Sequence, residues 1–366
     1  MPDAAPERDA YGRVVGADGY ALLDALDGPG APADLARLPE VGTLRAVWAR
    51  HFERPDRPPG RGGEPPAEAP AGTPALDASV RLRDSRTLPR AAEGLESPYD
   101  VDARFRTKRA TAWTGYMVHV SETCDQGDAP HLITHVDTTP ATAHEATGTD
   151  AIHAALAAKA LAPAQHLVDA AYVSAALLVR SREAHGVDLV GPPRPDVSAQ
   201  TAGGGYGVDA FRLDWARRQA VCPEGVASAI WGEYEDRWRG AYVRVRFPGA
   251  ACRACPARAA CCRPARGGRS LTVHREAEHA ALAAARARQD TDEGRQLHNV
   301  RAGVEGTLSQ AVRAFGLRRA RYRGLPKTRV QHAATAAALN LERLAAWLDG
   351  RPRAATRTSR FARLAA

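Results

Sequence analysis

AQHLVDAAYVSAALLVRSREAHGVDLVGPPRP, Ala164–Pro195, decides the fold. It opens on a short apolar run that ends in Asp169, as a buried strand would. YVSAALLVRSREAH then has the apolar spacing of a helix. GVDLVGPPRP is a second buried run, ended by prolines that have no N–H for a sheet ladder. Just upstream, TGYMVHVSETC (Thr114–Cys124) alternates like a strand. HLITHVDTTPA (His131–Ala141) reads as its partner across the turn CDQGDAP. Between hairpin and quoted stretch, GTDAIHAALAAKALA reads as a helix opened by a cap at Thr149 or Asp150. Hairpin, helix, strand, helix, strand is the order of a mixed α/β sheet. Asp169 falls at the carboxyl end of a buried strand, where open α/β sheets place functional residues. An aspartate before a helix is equally a simple N-cap.

Outward from this centre the chain changes character. Residues 1–53 carry two amphipathic stretches, YALLDAL and VGTLRAVWARHF, and read as helices. Residues 54–96 are rich in Pro and Gly and read as a linker. The α/β pattern occupies 97–195. A Gly-rich segment with short strands and most of the cysteines follows over 196–272. Residues 273–350 are helical again, and 351–366 form a basic tail. Met1–Gly30 lacks an apolar run behind basic residues, and no segment has the length and apolarity of a membrane span. The expectation is a cytoplasmic protein.

Charge is distributed unevenly. Arg301–Ala366 holds fourteen Lys and Arg against three acids, a net of +11, whereas the whole chain is only +8. The other 300 residues therefore sum to −3. Such asymmetry points to a phosphate-rich partner. Within RAGVEGTLSQAVRAFGLRRARYRG (Arg301–Gly324) one acid, Glu305, stands among six arginines. Arg301 lies four residues earlier, so an ion pair on one helix face explains Glu305 at minimum. Two carboxylates from separate elements beside a basic surface would instead suit divalent-metal phosphoryl transfer.

Five of the six cysteines, Cys222, Cys252, Cys255, Cys261 and Cys262, fall in one segment, while Cys124 stands apart. Without an export signal, metal binding is the better reading than disulfides. Cys222-Pro-Glu-Gly forms a knuckle-like turn, Cys252 and Cys255 form a C-x-x-C pair, and Cys261 or Cys262 supplies a fourth thiolate for structural Zn²⁺. The alternative is unliganded core thiols.

LVDAAY around Asp169, the downstream R-x-x-x-E of Arg301 and Glu305, and the later AATAAALNLERLAAWL together resemble the DDE transposases of bacterial insertion sequences. The resemblance is strongest to the branch with a ribonuclease-H-like mixed sheet, flanking helices and a small cysteine-bearing, β-rich insert. It covers roughly residues 97–348, and SPYDVDARFRTKRATAWTGYMVHVSETCD also resembles that branch. It implies Asp169 as second acid and Glu305 as third acid of a triad holding Mg²⁺ or Mn²⁺. Arg301 would orient Glu305 or a phosphate. Arg313, Arg318, Arg319, Arg321, Arg323 and Lys327 would grip the backbone of DNA, the implied partner. The resemblance also admits a homo-oligomer. Two positions depart from the family pattern: His298 stands where Tyr is common, and Val312, beside Arg313, stands where Lys is common. The triad's first acid has no clear counterpart; Asp100 is the nearest candidate, with Asp102 beside it. The expectation is an N-terminally truncated transposase whose central sheet lacks a strand. A zinc-stapled DNA-binding remnant without catalysis is the alternative.

Overall fold

The computed structural model describes residues 5–32, 34–54, 79–84, 88, 94–125, 127–237, 239–262 and 267–352. Most of the expected linker and the basic tail lie outside these residues. The elements in chain order begin with α1 (Ala5–Asp27), α2 (Pro39–His51), β1 (Phe52–Glu53) and β2 (Arg81–Leu82). Next come β3 (Arg104–Lys108), β4 (Thr111–Glu122), β5 (Ile133–Pro140), α3 (Glu145–Ala158), β6 (Gln165–Leu167), α4 (Ala175–His185) and β7 (Asp188–Val190). The cysteine-bearing segment holds α5 (Ala199–Ala202), β8 (Arg212–Asp214), β9 (Gln219–Val221), β10 (Ile230–Asp236), β11 (Gly240–Arg246), α6 (Gly249–Ala254), α7 (Arg258–Cys261) and β12 (Ser270–His274). Four helices close the chain: α8 (Glu276–Gln289), α9 (Asp292–Arg301), α10 (Gly303–Phe315) and α11 (Leu325–Leu348).

Two compact units are built from interleaved segments. The first takes Met1–His119, Val136–Ala143 and Val312–Leu339, and the second takes Val120–His135, His144–Ala311 and Asn340–Ala366. In the first unit, Ala17, Phe52 and Val80 form a small core with Tyr20 and Trp48 packed on it. Gly19 permits this packing, because a Cβ there would lie 1.7 Å from the Trp48 ring. β3, missed in sequence because it is polar and basic, pairs antiparallel with β4 from Arg104 opposite Gly115 to Lys108 opposite Thr111. Thr138 and His332, both buried, share a hydrogen bond of 2.8 Å.

The second unit contains the crossover expected from Ala164–Pro195. β6 and β7 are parallel, with His166 opposite Leu189 and Leu167 opposite Val190. Ser174 caps α4 by accepting from the Leu177 amide, and Gly186 ends it in the left-handed conformation at φ 66°. Val168, Val173, Leu178 and Leu189 form the core under it, covered by Ala281, Leu282 and Ala285 of α8. The expected helix after the hairpin starts earlier than Thr149 or Asp150. His144 is its cap, accepting from the Ala146 amide, and Thr149 is buried within it.

The strands do not join in one mixed sheet. β3-β4-β5 form one sheet and β6-β7 another; β8-β9 and β10-β11-β12 are separate again. The α/β class stands, assembled from small sheets. The cysteine-bearing segment has more core than its length suggests. Phe211, Ala220, Val243, Val245, Phe247, Cys261, Leu271 and Val273 are buried together there, and Trp215 and Trp231, edge to face with each other, pack against them.

Two polar devices hold the last helix in the second unit. The Asn340 side chain donates to the Ile133 carbonyl at 2.9 Å and accepts from the Ile133 amide at 2.8 Å, as a neighbouring strand would. Glu122, whose side chain is 6% exposed, accepts from Arg343 at 3.0 Å and from the Thr307 hydroxyl at 2.6 Å. Arg343 also donates to the His131 carbonyl.

A histidine pair links α3 to β6: buried His153 and half-buried His166 share a hydrogen bond of 3.0 Å, and the His153 ring meets His185 edge-on. Burial holds the His166 imidazole down at about 4, with His153 adding to the effect. Burial lowers His153 as well. A histidine held neutral in the fold but free to protonate in the unfolded chain stabilises fully above its ordinary value near 6.5. That contribution is lost as pH falls from there toward 4. For His166 it amounts to up to about 3 kcal/mol. Urea melts across this interval should show the second unit weakening with acid, and His166→Gln should flatten the slope; an unchanged slope would place the acid sensitivity elsewhere.

Candidate functional site

The carboxyl ends of β6 and β7 open onto a cavity of about 310 Å³, all within the second unit. Val168 and Val190 form its sheet side, and Arg288, Arg295, His298 and Arg301 its helical side. No carboxylate is among its described lining residues. Each arginine is anchored instead to an acid at its edge: Arg288 to Asp188 at 2.9 Å, Arg295 to Asp292, and Arg301 to Glu305 at 3.1 Å. Such a cavity is electrostatically suited to an anion. His298, where the family pattern has Tyr, contributes to its wall.

Asp169 follows Val168 directly. The chain leaves the sheet there, and the exposed Asp169 side chain accepts from the Ala170 amide at 2.8 Å, capping a 3-10 turn over Ala170–Tyr172. The simple capping role therefore exists, on this turn rather than on α4. Glu305 begins α10 and is exposed, its side chain at 69%, while its partner Arg301 is only 16% exposed. The Arg301 Nε is buried without a partner. Neither acid lines the cavity itself: Asp169 is the chain neighbour of the lining residue Val168, and Glu305 pairs with the lining residue Arg301. α10 is fixed two residues further on, where Thr307 bonds Glu122.

Among the described residues, no three His, Cys, Asp or Glu side chains are grouped to hold a metal ion. No described donor set is therefore complete for the Mg²⁺ or Mn²⁺ expected from the resemblance, an ion that one or two carboxylates hold only together with waters and substrate phosphates.

Asp100 and Asp102 belong to the first unit and are engaged there. Asp100 accepts from the Tyr116 hydroxyl; burial first, and this bond second, push the Tyr116 phenol upward. Asp102 accepts from the Leu325 amide at 2.9 Å, at the start of α11.

The basic cluster lies in the first unit, on the loop between α10 and α11 and its flanks. Arg313, Arg318, Arg319, Arg321, Arg323 and Lys327 are all exposed. Among the described residues no carboxylate pairs with any of them, in contrast to the cavity arginines. Arg323 stacks on the ring of exposed Tyr99 at 5.1 Å. The loop is ordered from within: the Gln331 side chain accepts from the Arg321 amide and donates to the Arg319 carbonyl, both at 2.8 Å. Leu317 anchors it in the core. Gln331, Glu122, Thr307 and Arg343 carry no motif of their own. A polar residue within an apolar stretch of a helix, or at the end of a strand for Glu122, was their only trace in the sequence.

Residues 221–345 match a family model described as "Transposase DDE domain". The matched span includes the cysteines from Cys222 onward, Arg301, Glu305 and most of α11; Asp169 lies outside it. This part of the chain is similar to the DDE domain of transposases. No curated protein and no solved structure matches the chain.

Gln331→Leu should leave an amide and a carbonyl of the basic loop unpaired. The expected cost is about 2 kcal/mol, with faster amide exchange at Arg321 read by hydrogen–deuterium exchange; unaltered exchange would mean that Gln331 does not order the loop.

Proposed function

We propose that the chain acts on DNA as a DDE-class transposase, a polynucleotidyl-transfer enzyme of the insertion-sequence type. The observation that carries this reading is the placement of Glu305. It lies inside the matched domain, paired to Arg301 at the rim of an anion-suited cavity that opens where β6 ends beside Asp169. Asp169 and Glu305 are the proposed acids of the reacting site, and Arg301 the residue that orients Glu305. The exposed arginines of the α10–α11 loop are the proposed backbone grip, since unpaired surface cations release counterions when they meet phosphates. A ribonuclease-H-like reading is supported by the parallel β6-β7 pair with its terminal acid.

One observation favours a second reading. Among the described residues no three acids, histidines or cysteines are grouped to hold a metal ion, which suits a DNA-binding protein without strand cleavage. The two readings part in one experiment. A duplex carrying the ends of the encoding element is incubated with the chain and Mg²⁺ or Mn²⁺, beside Glu305→Ala. Nicking by the parent alone supports the enzyme. Binding without nicking by either supports the second reading, and nicking by both removes Glu305 from the site.

Arg318→Gln and Arg321→Gln should each weaken binding across DNA sequences alike and reduce the slope of log affinity against log salt by about 1. A change confined to one sequence would argue for base reading instead.

A further inference from the structure

The cysteine-bearing segment holds a second, smaller cavity of about 30 Å³. Cys222, Cys252, Cys255, Cys261 and Cys262 all line it, together with Arg269. Its size excludes an organic ligand, which needs some hundreds of Å³, but accommodates an ion. All five thiols are free.

Two sulfurs already sit in the hydrogen-bond setting of a thiolate. The turn from Cys222 to Val226, closed by Gly225 at φ 79°, folds the Val226 amide back onto Cys222 Sγ at 3.3 Å. The Arg269 amide donates to Cys252 Sγ at 3.4 Å. Cys222 and Cys252 pack with Cys261 in one cluster. Cys255 completes the C-x-x-C pair.

The independent observation is Arg269. Its side chain is 7% exposed, and its two terminal nitrogens donate to the carbonyls of Cys261 and Tyr206, at 3.0 and 3.1 Å. Its Nε has no partner, and among the described residues no carboxylate pairs with it. A guanidinium buried among neutral thiols is costly, because a buried charge requires a counter-charge. Four thiolates on a divalent ion carry a net charge of −2. Arg269 and Arg258, which also lines the cavity and donates to the Cys252 carbonyl, would balance it.

We propose that Cys222, Cys252, Cys255 and Cys261 bind one structural Zn²⁺ whose negative charge is neutralised by the buried Arg269. As they stand, the sulfurs are not grouped for an ion, so the thiols close round it on binding, toward Zn–S bonds of about 2.3 Å. Four protons leave to solvent as the thiolates form. Cys255 enters as the second half of the C-x-x-C pair, and Cys261, which packs with Cys222 and Cys252, takes the fourth place in preference to Cys262. The proposal does not depend on the transposase reading, and its readout needs no DNA.

The test uses the full chain, purified reduced and without chelator. Elemental analysis should find one zinc per chain, and replacement by Co²⁺ should give the charge-transfer and d–d bands of a tetrahedral tetrathiolate. Cys261→Ser should lose the metal, while Cys262→Ser and Cys124→Ser keep it. Arg269→Gln should keep the ligands but bind zinc about tenfold more weakly in competition with a chelator. A parent chain that takes up neither metal overturns the proposal, as does a Cys252–Cys255 disulfide found by mass spectrometry. Full zinc retention by Cys261→Ser overturns the ligand set. Should the Cys261 variant fail to fold, the cobalt spectrum of the parent and the Cys262→Ser chain still decides.

Discussion

The ion pair of Glu122 with Arg343 is the constraint on which the second unit depends. Glu122 is nearly sealed from water, and Arg343 and the Thr307 hydroxyl meet the same oxygen of its carboxylate. A buried pair of this kind adds little net stability, since desolvation offsets attraction. Its consequence is positional. Removing either partner would strand a charge, at about 3–5 kcal/mol, so the end of β4, α10 and α11 can pack in one register only. Glu305 lies on α10 two residues before Thr307. The start of α10, where that exposed acid lies, is therefore positioned through the buried pair.

The arginines divide into two populations by the same reasoning. Those round the larger cavity are each held by an acid at its edge, which fixes their geometry and lowers the local charge. Those on the α10–α11 loop have no described carboxylate partner, and the loop is ordered by a neutral side chain, Gln331. Neutral anchoring leaves the full positive charge facing solvent. The first arrangement suits positioning of an anion, and the second suits affinity for a polyanion.

How much of this was legible in the sequence follows from the range of each signal. The crossover of β6, α4 and β7 was legible because apolar periodicity, the Ser174 cap and the Gly186 stop are all local. β3 was not, because Arg104–Lys108 forms a strand through its pairing with β4 and not through apolar alternation. The start of α3 was missed because His144 is an unusual cap and Thr149, a residue that favours caps, is buried inside the helix. Of the site, the Arg301–Glu305 pair was readable from its spacing of four. The Glu122–Arg343 pair, 221 residues apart in the chain, was not. Asn340 and Arg343 looked like interruptions of an apolar stretch, whereas they are the groups that dock it.

The minimal and the functional explanations of Glu305 are compatible. An ion pair accounts for an acid among arginines, but an ordinary surface pair exposes both partners and leaves no donor unpartnered. Here Arg301 is mostly buried, its Nε lacks a partner, and it faces the cavity while Glu305 faces water. A buried unpartnered donor costs about 1–3 kcal/mol, and stability alone gives no reason to retain it. An anion in the cavity would satisfy that donor, with Glu305 holding the same guanidinium from outside.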